Sequence, residues 1–299
     1  NGYPGGDWTE RERISKQYLD SMLMALWFAQ NDPSAPEQTK KAYAGYGLAA
    51  DEFTDNGNLP YEVYVREARR LVGRKIFTEH DNMVAEGTAR TPVHEDSIAM
   101  TDWPVDSVAC QSRRVGESHP DGVFFLAEIC RPAQVPYRCL LPRELDNLLV
   151  PVALSASHVG WGSIRLEPVW VQTGEAAGFA AALAVKRKVA PAELDADILI
   201  RTLAKNRSMI SFFNDVDSAL EEPWVPAVQY FGTKGFFAGY DASPDAPLTE
   251  SVAAVWAKGF AQLREGRCDA AALVREAAIA ESDAASTAVN TDRFLFMIG

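Results

Sequence analysis

At 299 residues, 47 % apolar and 23 % charged, the chain is long enough for one large domain or two ordinary ones and can bury a sizeable core. Its 29 basic against 41 acidic residues leave a net charge of −12, which argues against nucleic-acid binding and against docking on anionic lipid, since both need a basic face. No apolar run approaches the ~20 residues of a membrane span. The 4 histidines form no HxxxH or HxH pair, so a metal site is a poor expectation. Ser163 lacks the GxSxG frame of an α/β-hydrolase nucleophile.

Cys110, Cys130, Cys139 and Cys268 show no CxxC spacing and read mostly as buried thiols, with a Cys110–Cys130 or Cys130–Cys139 bridge left open. The opening Asn1-Gly2-Tyr3-Pro4-Gly5-Gly6 has neither the basic nor the apolar region of a signal peptide. It reads like the middle of something: a processed chain, a shortened one, or one half of a split protein.

In chain order, Thr9-Glu10-Arg11-Glu12 reads as a capping box opening a helix. That helix carries Ile14, Tyr18, Met22, Leu23, Leu26 and Trp27, is apolar almost all round near its end and is expected to be buried on more than one side. Asn31-Asp32-Pro33 stops it, and a shorter helix is expected over residues 36–46, closed by Gly47. Residues 55–58 signal a turn, and the alternation after Leu59 reads as a strand that turns helical. Short β-prone runs between Asp81 and Pro136 predict an antiparallel sheet.

Residues 148–154 read as a strand of a parallel sheet, buried on both faces, with Pro151 marking an end or a bulge. A small-residue loop over 155–163 follows, and Pro168 suits the first turn of a helix running to about Lys186. Gly174, Ala176, Ala177, Gly178, Ala180, Ala181 and Ala182 line that helix, so something must approach its backbone closely. Helices are expected over 193–206 and 248–263, and in the Ala-rich stretch 268–288. A strand, a small-residue loop and a helix N-terminus form a place for an anion or a cofactor edge, with a purely structural unit the even alternative. Gly160-Trp161-Gly162-Ser163-Ile164-Arg165 has Arg165 where a dinucleotide fingerprint wants its third Gly, so these residues alone do not hold a dinucleotide phosphate in the usual way.

Several ordered blocks carry a resemblance. Gly2-Tyr3-Pro4 leading to Asp7-Trp8, Arg66-Glu67-Ala68-Arg69-Arg70, Thr78-Glu79-His80-Asp81 and Asp96-Ser97-Ile98 come first. Pro136-Tyr137-Arg138-Cys139, Asn147-Leu148-Leu149-Val150-Pro151, Ser155-Ala156-Ser157-His158, Gly162-Ser163-Ile164-Arg165-Leu166-Glu167-Pro168 and Thr173-Gly174-Glu175-Ala176-Ala177-Gly178 follow. Together they resemble the C-terminal half of a bacterial family of FAD-dependent oxidoreductases with a glutathione-reductase-like, two-segment FAD domain, some of them labelled xanthan lyase. The likeness runs from the start to about Lys205.

The resemblance implies an α/β fold: the C-terminal part of a two-segment FAD-binding fold, with an α+β substrate domain and a helical C-terminal appendix. The expected division is 1–135 for the substrate domain, 136–190 for the second FAD segment and 191–299 for the helical region. FAD is the implied cofactor, and an N-terminal chain or segment carrying GxGxxG is the implied partner that grips its ADP half. Ser157, His158, Gly162, Ser163, Ile164 and Arg165 fall where the family meets the isoalloxazine ring. Arg165 would supply charge to the reduced ring, or else pair with Glu167 or another carboxylate. His158 would serve as a general base or a covalent flavin anchor, or else as a loop histidine bonded to backbone. Tyr137 and Arg138 would bind a substrate oxyanion, with core packing the commoner fate of such a Tyr. Arg66, Arg69, Arg70, His80 and Asp81 are further candidates, each with a plain surface or turn alternative. The family pattern has a His shortly after the Asp106-Ser107 equivalent, whereas Val108 and Ala109 follow here, which puts a proton-transfer role there in doubt.

The implied activity is hydride transfer from a small polar, sugar-like substrate to flavin. The stretch from Trp224 through Thr249 weakly resembles one S-layer-homology repeat, though a single copy reads more commonly as a helical cap on the catalytic body. The location stays open, leaning to periplasm or cell envelope. The missing half, Val108 and this tail favour a rival reading, a non-catalytic envelope-binding protein on a degenerate flavin scaffold. A polysaccharide lyase stands third.

Overall fold

Asp7, one turn ahead of Glu10, starts the first helix. In the computed structural model, which describes residues 2–109, 116, 122–282 and 288–289, helix α1 spans Trp8–Asn31 and the Asp7 carboxylate accepts the Glu10 N–H at 2.9 Å. The capping box expected at Thr9 is therefore not formed: a carboxylate at the positive end of a helix outcompetes a hydroxyl inside its first turn. Asp32 stops α1, its N–H bonding Phe28 O. Helix α2 is Glu37–Tyr43, shorter than expected. Both belong to the first of two compact units, Asn1–Arg69 and Arg70–Gly299. Only Ile14 of α1 is buried, and Met22 and Trp27 are exposed at 69 % and 60 %. The expectation of burial on several sides fails because this unit offers α1 only one short helical neighbour. The alternating run after Leu59 forms neither a strand nor the helix expected to follow it.

In the second unit, β1 (Ser97–Thr101) pairs antiparallel with β4 (Ala133–Pro136), and β2 (Asp106–Ser107) pairs antiparallel with β3 (Phe124–Phe125). The antiparallel pairing expected between Asp81 and Pro136 is present. The parallel strand expected over 148–154 is not: the segment is irregular, Leu148 and Val152 are exposed, and its pairing amounts to scattered backbone bonds with Leu71 and Leu140 and an isolated parallel bridge, Phe77 to Ala156, beside it. Pro151 has no N–H to give a ladder, and a run of apolar residues alone cannot select a partner strand. The architecture thus mixes helices with small two-stranded sheets among the described residues.

The loop expected over 155–163 contains a helix, α3 (His158–Ile164). Helix α4 (Glu167–Arg187) begins beside Pro168 as expected and ends on Lys188, whose φ of +59° closes it. Four further helices follow: α5 (Ala196–Lys205), α6 (Val225–Thr233), α7 (Glu250–Arg264) and α8 (Ala270–Ser282). A short pair, β5 (Leu248–Thr249) with β6 (Ala288–Val289), joins them. The helical character expected after residue 191 is observed. One core draws Phe77, Ile98, Val135 and Ile164 together with Leu199, Leu203, Ile210, Phe231 and Leu273. Cys130 and Cys139 are buried free thiols, so neither bridge forms; Cys110 lies outside the described residues.

Candidate functional site

Helix α3 sits where two stretches of backbone press on it closely. A Cβ on Gly160 would lie 2.6 Å from Phe77 O, and one on Gly162 would lie 2.7 Å from the Asp106 N and O. These glycines let α3 press directly on backbone, so their small size serves packing within the chain. The Ser157 hydroxyl caps α3, accepting the Gly160 N–H at 2.9 Å. Ser163 is fully buried, donates to Gly160 O at 3.1 Å, and its carbonyl takes the Thr101 hydroxyl at 2.5 Å. Ile164 belongs to the core.

The two ends of α3 carry the chemistry. At its start, half-buried His158 places Nε2 2.8 Å from the Ser107 hydroxyl, so the imidazole can hold or pass a proton through a fixed neighbour. At its end, buried Arg165 donates from one terminal nitrogen to Asp106 Oδ2 at 2.7 Å. The carboxylate partner anticipated for Arg165 therefore exists, and it is Asp106. Strand β2 thus anchors both residues with adjacent side chains. The structure brings Asp106, Ser107, His158 and Arg165 together; the pairings span 51 and 59 residues and have no local signature.

Tyr137 and Arg138 are held by other partners. Tyr137 is 2 % exposed and its hydroxyl donates to Pro191 O at 2.9 Å; burial pushes its pKa up to about 12, against a small opposing effect of Arg74. It is a core tyrosine whose hydroxyl is already spent. The Arg138 guanidinium grips Asp96 with two bonds, at 2.9 and 3.2 Å, which raises its pKa further. Arg69 donates to Pro4 O at 2.9 Å within the first unit. Arg70 donates to Ala156 O at 3.1 Å and lies over the Trp161 ring.

His80 is exposed at 82 % beside Glu79, whereas Asp81 is buried. Asp81 takes the Thr78 N–H at 2.8 Å and Lys75 Nζ at 2.9 Å, and His94 Nε2 stands 3.0 Å away, within ion-pair range but off the line of a hydrogen bond. Burial alone would raise its pKa; His94, the Thr78 N–H and Lys75 outweigh that and hold it down to about 2. His94, invisible in the sequence as a partner of Asp81, is the residue that completes this cluster.

The junction between α3 and α4 leaves donors unmatched. No side chain caps the start of α4. Two buried donors there, Arg165 Nε and Trp170 Nε1, have no acceptor among the described residues, which is costly unless another group supplies one. Leu166, Pro168 and Val169 line a cleft of about 230 Å³ whose other walls include Met100, Trp103 and Phe212. Farther along α4, Ala176, Ala177, Ala180 and Ala184 face the core, while Val171 and Val185 stand 73 % and 80 % exposed and positions Gly174 and Gly178 look onto open space.

A family model described as FAD dependent oxidoreductase matches residues 2–205. No curated protein and no solved structure matches the chain.

Proposed function

The chain belongs to the FAD dependent oxidoreductases, and on that premise we propose that the α3–α4 junction is the flavin-facing part of its redox site. The family's cofactor is FAD. The observation that carries the reading is the pair of acceptor-less donors, Arg165 Nε and Trp170 Nε1, beside an uncapped helix start. A flavin edge is planar and rich in acceptor atoms, so the residues present fit it. Bound flavin supplies the hydride acceptor.

The chain's own residues do the rest. Arg165, held by Asp106, presents fixed positive charge where negative charge gathers on reduction, together with the partial positive charge of the α4 N-terminus. His158 takes a proton from the substrate hydroxyl or amine, and the Ser107 hydroxyl fixes which ring nitrogen faces it. The substrate class is small and polar, sugar-like, as the resemblance implies. The ADP half of the cofactor is gripped by a GxGxxG-bearing segment outside these residues, packed on the exposed face of α4; Val171, Gly174, Gly178 and Val185 support that placement.

The test is flavin analysis of the native assembly with wild-type chain and with His158→Gln. Expected is FAD in the denatured extract of both, with flavin reduction by substrate slowed about 100-fold or more in the variant. An assembly without flavin overturns the reading of the site; an unchanged reduction rate removes His158 from it.

A further inference from the structure

A larger concavity lies wholly outside the matched residues. It measures about 790 Å³ and is lined by residues between Trp224 and Glu281, in the size range of small-molecule pockets rather than of peptide grooves or protein faces. Its walls are aromatic: Trp224, Phe231, Phe236, Phe237, Trp256 and Phe260. These rings are fixed before any ligand arrives. Trp256 Nε1 donates to Phe236 O at 2.7 Å, Phe231 and Phe236 stand with centroids 4.6 Å apart, and Phe237 meets Trp256 edge-on at 5.3 Å.

Among the described residues, the charged ones lining it are Asp241, Asp245 and Glu281, with no Lys or Arg. Asp241 Oδ1 accepts the Asn214 side-chain N–H at 3.0 Å. Burial and the Asp241 charge push the Glu281 carboxyl up, against the Ala238 N–H that it accepts. Like charges held together beside aromatic faces are unfavourable alone and are relieved by a cation, which ring faces also attract.

We propose that this pocket binds a small organic cation with an apolar body, an aryl- or alkylammonium, its ammonium between Asp241 and Glu281 and its hydrocarbon against the Trp224 and Trp256 walls. Anionic ligands are repelled by the same carboxylates. Neutral ones gain only the apolar contact. Because the pocket is built from residues 224–281, its occupancy is independent of the flavin reading.

The test uses the purified full chain, tryptophan fluorescence and titration calorimetry, with three probes of one shape: 4-phenylbutylamine, 4-phenylbutan-1-ol and 4-phenylbutanoate. The expected order is amine tightest, by about tenfold over the alcohol, and carboxylate weakest. The paired substitution Asp241→Asn and Glu281→Gln should bring the amine to the level of the alcohol without changing the alcohol. Ala257→Trp, at an exposed lining position, should block all three. Equal or tighter binding of the alcohol or carboxylate, amine binding indifferent to these substitutions, or no amine binding overturns the proposal. If a variant does not fold, the order of the three probes on the wild-type chain decides alone.

Discussion

A methyl group means opposite things at two glycines of this chain. At Gly162 it would stand 2.7 Å from the Asp106 backbone, and at Gly174 it would meet nothing within 4 Å. Gly162→Ala should therefore destabilise by about 1–3 kcal/mol, because backbone cannot step aside as a side-chain tip can. Gly174→Ala should be neutral or stabilise by up to ~1 kcal/mol through helix propensity. Urea unfolding of the two variants checks the contrast. Asp81 gives a pH-dependent expectation. Its folded-state pKa of about 2 lies below the ordinary 3.8, so the ionised carboxylate stabilises the fold above about pH 4, and that stability drains away as the pH falls toward 2. The wild-type advantage over Asp81→Asn should be about 2 kcal/mol near neutrality and shrink steadily on acidification; an advantage independent of pH removes the electrostatic account. At this scale the sequence marks His158 and Arg165 by their side-chain chemistry alone. Their partners it leaves unmarked, because Ser107 and Asp106 reach them only through the fold.

Elements were legible where local chemistry decides and obscure where pairing decides. Pro168 announces the start of α4, and the basic Lys186 and Arg187 suit its end. Residues 148–154 have strand composition but make only scattered backbone bonds, to Leu71 and Leu140, rather than a ladder, and α1 has an apolar circumference but little to bury it against. The small residues of α4 are the instructive case. Sequence says only that something comes close; the structure divides them into a core-facing alanine row and an exposed row with Val171 and Val185. Val171→Lys with Val185→Lys should change the stability of the isolated chain by less than about 0.5 kcal/mol each, since both side chains are exposed. On the proposed packing of a dinucleotide-binding segment against this face, the same pair should strip the flavin from the native assembly. Flavin retained by the variant assembly places that segment elsewhere.

At the scale of the molecule, the extent of the family match and the extent of the folding unit differ. The match stops at residue 205, but the core does not: Ile98, Val135, Leu199 and Leu203 are buried in one cluster with Ile210, Phe213, Phe231 and Leu273. Polar ties cross the same line. The Ser97 hydroxyl donates to Ile210 O at 2.7 Å, Lys234 Nζ to Glu95 O at 3.0 Å, and the Tyr240 hydroxyl to Pro132 O at 2.7 Å. Arg90, 1 % exposed, sends its guanidinium to Gly239 O and the Ser211 hydroxyl between the Phe213 and Tyr240 rings, and burial lowers its pKa to about 10. A chain ended after Lys205 would leave that cation and a row of large apolar side chains without cover. Each uncovered side chain forfeits roughly 1.5–3 kcal/mol, so a handful consumes the 5–15 kcal/mol by which a domain is usually stable. Residues 2–205 alone should therefore give an aggregating or dye-binding product without a cooperative calorimetric transition, whereas the full chain melts cooperatively. A sharp transition from the shortened chain would show instead that the helices after Lys205 are an attachment to a self-sufficient body rather than one wall of its core.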